Sequence, residues 1–212
     1  VEPMAAWLLD APAAERPALI AGLPRLLQRV ADRRLALSLL ERMVSPYKDL
    51  PGTRVPSQVA LGRLHLAAGM PDQALALARQ AASEDQASAG PVLLAMELLP
   101  GTPAAEAIVT AYLDRPGAEP GVRLAHVQVL AQSQRYADAI VQLEAVTRER
   151  PELPEPWLTL GTLHVELKHP REAEAALQRY VQLASGPGAG LPGRGPAHGE
   201  GDLADVLAFI TG

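Results

Sequence analysis

Alanines recur at a fixed interval through the second half of the chain. Ala173 in "REAEAAL", Ala139 in "YADAIVQL" and Ala105 in "PAAEAIV" are each 34 residues apart, and Ala74 in "DQALALA" lies 31 residues before Ala105. Apart from that shortened step the interval is constant, so one supersecondary unit is repeated and stacked, and most other ways of folding a chain of this length are excluded. Each marker alanine opens an apolar run with helical spacing, such as Ala139/Ile140/Leu143/Val146 and Ala173/Ala176/Leu177/Tyr180. Upstream of each lies a second amphipathic segment: 59–69, 91–100, 122–132 and 157–167. Turn signals separate the partners, and Pro71, Pro103 and Pro170 stand where the second helix should begin. A proline's missing N–H costs nothing at that position. Each unit is therefore a hairpin of two short helices.

Composition agrees with close helix packing. Aromatics make up 3% of the chain while hydrophobic residues reach 48%, so leucine and alanine build the core. With a net charge of −5, the chain lacks the basic face that nucleic-acid binders present, and no nucleic-acid partner is expected. There is no cysteine, which removes disulfides, thiolate catalysis and cysteine metal sites. The early apolar stretch 4–9 is far shorter than the roughly 20 residues a membrane span needs, so no insertion into a membrane is expected. Because the sequence opens on Val1, a trimmed or processed form is expected, with any leader or lipidation signal lost before this numbering begins.

The pattern resembles the tetratricopeptide repeat, with its interval of about 34 residues and its W-x2-L-G-x2-Y…A…F…A…P signature. In 154–184, Trp157, Leu160 and Gly161 match, His164 holds the usual tyrosine position, Ala173 is the central alanine and Leu177 takes the phenylalanine place. The 120–153 unit keeps Ala139, Leu143 and Pro151, and the 55–86 unit keeps Leu61, Gly62, Gly69, Ala74 and Ala81. The 87–119 unit departs most, with Pro100 cutting its first helix short. The resemblance implies an all-α, right-handed superhelical array of antiparallel helix pairs. Gly161 and Ala173 are then expected where the two helices of a hairpin cross.

Residues 1–54 read as a terminal cap followed by a divergent first helix pair, 16–30 and 32–44, with Asp32 as an N-cap, and 45–55 reads as a loop. At the other end, 185–201 is rich in Gly and Pro and reads as a flexible linker. Residues 202–212 follow as a short amphipathic helix with Leu203, Val206, Leu207, Phe209 and Ile210 on or beside its apolar stripe. A linker of 17 residues between Ser185 and Asp202 spans roughly 23 Å, so this helix is expected to dock on its own array or on a neighbour's. A truncated further repeat is the alternative.

No catalytic constellation emerges. Gly188, Gly190 and Gly193 fit G-x-G-x-x-G in form, but a helix precedes them and Pro192 interrupts them, so the strand–turn–helix setting of a dinucleotide site is missing. Among His65, His126, His164, His169 and His198, His65 and His164 share one repeat position, and packing is favoured over metal ligation. His164 and His169 fall on opposite sides of a turn. No cofactor, metal or enzymatic activity is expected.

What remains is binding. The resemblance implies that the first helix of each hairpin lines a concave groove, with Val59, Arg63 and Leu66, then Leu124, Gln128 and Ala131, then Leu158, Thr162 and Val165 facing a ligand. Family members that clamp the carboxylate end of a peptide use Lys and Asn there. Here Val59, Leu124 and Leu158 replace the first lysine, and asparagine is absent from the chain. An apolar groove suits an amphipathic or partly extended apolar segment. The expected role is a protein-binding scaffold. The alternative is a structural or oligomerisation module whose groove is filled by its own C-terminal helix or by a second copy. The Ala-, Arg-, Pro- and Gly-rich composition looks bacterial, and the chain is similar to repeat domains of bacterial envelope proteins, including periplasmic lipoproteins.

Overall fold

The computed structural model describes residues 10–50, 52–99 and 101–185. They form ten helices and no strand, and none of these helices is long and apolar enough to cross a membrane. The chain divides into two compact units after Val122.

The first unit holds α1 (Arg16–Leu27), α2 (Arg33–Val44), α3 (Arg54–Ala67), α4 (Pro71–Glu84), α5 (Ala89–Met96) and α6 (Pro103–Leu113). Asp32 caps α2 as its position predicts, accepting from the backbone N–H groups of Arg34 at 2.9 Å and Leu35 at 3.1 Å. The apolar faces of α1, α2 and α3 close on a cluster that includes Ile20, Leu23, Leu40, Met43 and Leu64. Each such side chain contributes about 1.5–3 kcal/mol by leaving water. Residues 45–53 are more than a connection, because Tyr47 plugs this core completely. Thr53 ties the segment down, its Oγ1 donating to the Tyr47 carbonyl at 2.7 Å. α5 is only 8 residues long, in keeping with the proline that follows it in sequence.

The second unit contains α8 (Tyr136–Glu149), α9 (Pro154–Glu166), α10 (Pro170–Ala184) and most of α7 (Pro120–Gln132). Its core joins Val127 and Leu130 of α7, Ala139, Ile140 and Leu143 of α8, Leu160 and Leu163 of α9, and Ala176 of α10.

Two recurring devices shape the hairpins. The first is the turn. Gly69, Gln134 and Lys168 all have left-handed backbones, with φ of 76°, 58° and 58°. Around each, the same two bonds close the first helix: the N–H groups of Gly69 and Met70 reach the carbonyls of Leu66 and His65, those of Gln134 and Arg135 reach Ala131 and Leu130, and those of Lys168 and His169 reach Val165 and His164. This is a helix C-terminal motif with its left-handed residue just past the end. The second device is the helix crossing. A Cβ on Gly161 would sit 2.7 Å from both Cγ and Cδ2 of Leu177 and 3.4 Å from the Ala173 carbonyl oxygen. Gly62 is crowded instead by Leu94 of α5, from the following hairpin, with the Ala74 carbonyl of its own hairpin 3.6 Å from its would-be Cβ. Glycine and the marker alanine thus set how closely the helix backbones approach.

Candidate functional site

In the second unit, α7 and α9 turn one side of each helix into the core and leave another side partly open. Leu124, Gln128 and Ala131 are spaced four and three apart along α7, and Leu158, Thr162 and Val165 repeat that spacing on α9, so each trio shares a face. Leu124, Ala131, Leu158 and Val165 are half-buried, while Gln128 and Thr162 are exposed. Leu124 and Ala131 also pack on the core cluster beneath them. Thr162 spends its hydroxyl proton inside the helix, donating to the Leu158 carbonyl at 3.0 Å. Gln128 therefore supplies the only free-standing side-chain amide among these six residues, and no charge is among them.

Other side chains fix each of these two helices in place. Trp157 Nε1 donates to the Pro151 carbonyl at 3.2 Å, pinning the start of α9 to the loop from α8, while its ring packs on the core. Beneath α7, Arg123 is buried and its Nη1 donates to Gln142 Oε1 at 2.8 Å. A guanidinium at the N-terminal end of α7 is thus committed to α8 rather than offered to a ligand.

The equivalent positions of the first unit behave differently. Val59 is 4% exposed and packs with Ala78, Ala81 and Leu94, so it is core and lines no groove. Its cover comes from Ala78 and Ala81 of α4 and Leu94 of α5. Arg63 is bound to Glu97, Nε to Oε1 at 2.9 Å. Leu66 is half-buried. The expected docking residues Leu203, Val206, Leu207, Phe209 and Ile210 lie outside the described residues.

Among the described histidines, His126 and His164 are buried, His65 is half-buried and His169 is exposed. His164 is 8% exposed and His126 6%. Burial lowers the His65 pKa below the usual imidazole value, with Glu41 opposing it. It lowers that of His164 too, helped by the neighbouring His169 and opposed by Glu172 and Glu144. The left-handed turn at Lys168 brings the rings of His164 and His169 to 5.7 Å, centroid to centroid, closer than their separation across a turn led one to expect. No cluster of three or more metal-type ligands occurs among the described residues.

A feature the repeat logic overlooks lies in the first unit. A cleft of about 460 Å³ opens between α4 and α6, walled by Ala82, Ala107, Ile108 and Ala111 and flanked by Arg79 and Arg115. Its sequence signal is the run of alanines at 104, 107 and 111 along one side of α6.

Residues 130–186 match the family model of the tetratricopeptide repeat, a segment running from the end of α7 through α10. None of the curated proteins matches the chain. Among solved structures, MamA is similar at a TM-score of 0.56 and 12% identity over 86% of this chain and 100% of that one. A tetratricopeptide repeat protein from Parabacteroides merdae gives 0.49 and 18%, covering 88% of this chain and 72% of its own. YrrB, a TPR protein with an unusual peptide-binding site, gives 0.47 and 14%, covering 76% and 82%.

Proposed function

We propose, from the premise that residues 130–186 place this chain in the tetratricopeptide repeat family, that the protein is a non-catalytic interaction scaffold. The face formed by α7 and α9 receives the apolar side of a polypeptide segment. The observation that carries the reading is the composition of that face: four half-buried aliphatic side chains, one free amide and no charge. Such a surface gains from excluding water and offers nothing to grip a carboxylate. It therefore selects an amphipathic helix or a partly extended apolar stretch over a charged peptide terminus. The bacterial cast of the composition supports a place in envelope assembly or secretion, where segments of this kind are handed between components.

The test is capture from a bacterial envelope extract by the intact chain and by a Leu124→Glu/Leu158→Glu variant. Each substitution puts a charge where an apolar contact stood, so affinity is expected to fall by tenfold or more, about 1.4 kcal/mol at least. The variant must keep the helical circular dichroism of the parent. Partners retained equally by a folded variant would remove α7 and α9 from the binding surface.

A further inference from the structure

We infer that the cleft between α4 and α6 is a docking site for residues 202–210 of a second copy of this chain. The cleft is separate from the α7/α9 face, and the inference stands whether or not that face binds a partner.

The walls and the rim impose two requirements on an occupant. Ala82, Ala107 and Ala111 strip both helices to a methyl group, and Ile108 floors the space they leave. The volume of about 460 Å³ suits several aliphatic side chains. The occupant is therefore apolar on the side that enters. At the rim stand two guanidiniums, in a chain whose net charge is −5. Arg79 is exposed on α4. Arg115 is held in position, donating to the Gln86 carbonyl and lying 5.9 Å from the centre of the Tyr112 ring. The one carboxylate among the lining residues, Asp85, turns Oδ1 toward its own loop and accepts the Ala87 N–H at 2.9 Å. The occupant accordingly carries acidic groups beside its apolar stripe.

Both requirements are met in the stretch "EGDLADVLAFI", residues 200–210. Leu203, Val206, Leu207 and Ile210 share a stripe at helical spacing, Glu200, Asp202 and Asp205 supply the negative charge, and no Lys or Arg follows Arg194. The α7/α9 face offers the same segment no cation, which is why the cleft rather than that face is assigned to it. Tail and cleft are unlike surfaces, so their pairing is heterologous. A docked pair therefore keeps one free tail and one free cleft, and association proceeds head to tail.

The chain's lack of cysteine makes single-thiol labelling a clean test. In Ala107→Cys the thiol stands in the cleft wall, and in Thr162→Cys it stands on the α7/α9 face. The expected result is that maleimide labelling of Ala107→Cys slows as protein concentration rises, by about tenfold once concentration reaches ten times the dissociation constant. The average mass from light scattering rises over the same range. Adding Leu203→Asp/Leu207→Asp abolishes the slowing, a synthetic peptide of residues 200–212 restores it, and Arg79→Glu/Arg115→Glu weakens it. Labelling of Thr162→Cys does not change with the tail. Labelling of Ala107→Cys that is equally fast with and without the tail substitutions overturns the inference. So does protection that survives dilution unchanged, which assigns the occupant to the same molecule, and so does protection of Thr162→Cys in place of Ala107→Cys.

Discussion

Gly161→Ala isolates the close approach on which the α9–α10 hairpin depends. An added methyl carbon would lie 2.7 Å from two atoms of Leu177, about an ångström inside ordinary carbon–carbon contact. Leu177 is buried, 2% exposed, so it has little room to withdraw. Overpacking of this kind costs about 1–3 kcal/mol. Replacing a mid-helix glycine with alanine returns about 1 kcal/mol of helix propensity, leaving a net loss of roughly 0–2 kcal/mol. Leu177→Ala alone opens a cavity and costs about 2–5 kcal/mol. In the double variant the added methyl meets no leucine, so the two losses do not add. The coupling should be about 1–3 kcal/mol, with the double variant more stable than the sum of the singles allows. Urea unfolding followed by Trp157 fluorescence, in a Trp7→Phe background, reports on the α9–α10 hairpin directly. Gly161→Ala more stable than the parent, or strict additivity of the two changes, would refute the claim that glycine is there to admit Leu177.

Three further outcomes follow from the structure. Lys168→Gly and Gln134→Gly relieve left-handed backbones at φ 58°; each should stabilise its hairpin by about 0.5–1 kcal/mol after the unfolded-state entropy of glycine is subtracted, measured by thermal denaturation. Tyr47→Phe removes a buried hydroxyl that has no hydrogen-bond partner among the described residues; it should be neutral or stabilising by up to about 1 kcal/mol, and a loss above that would reveal a partner. Because His65 and His164 have lowered pKa values in the folded chain, the unfolded chain binds protons more readily. Stability is therefore full above the ordinary imidazole pKa of about 6.5, falls as pH drops below it, and stops falling from this cause once the folded-state values are passed. A melting-temperature profile from pH 8 to pH 5 should show that decline, and His164→Gln should shrink it.

The periodic elements were legible because their causes are local. Proline at a helix start, a left-handed residue at a turn and a small residue at a crossing act over a few positions, and the interval between Ala105, Ala139 and Ala173 exposes all three at once. Asp32 was legible for the same reason. Residues whose role depends on a neighbouring hairpin were not. Val59 has the sequence position of a groove residue, yet Ala78 and Ala81 of α4 and Leu94 of α5, in the most divergent unit, close over it. Tyr47 sits in a stretch with loop composition, but the gap left where α1, α2 and α3 meet takes its ring. The cleft between α4 and α6 sets Ala82 against Ala104, Ala107 and Ala111 of a different hairpin, and a motif built on one hairpin does not register it. Of the nine expected groove positions, Val59 alone is buried, while the other eight are half-buried or exposed.

The most direct test of the scaffold reading is site-specific photo-crosslinking. A benzophenone side chain at exposed Thr162 probes the α7/α9 face, and one at Val141, 58% exposed on α8, serves as control. In envelope extract, the account predicts a discrete adduct from Thr162 that is absent from Val141 and suppressed by an excess of unlabelled protein or of an apolar amphipathic peptide. Equal adducts from both positions, or adducts from Val141 alone, would contradict it.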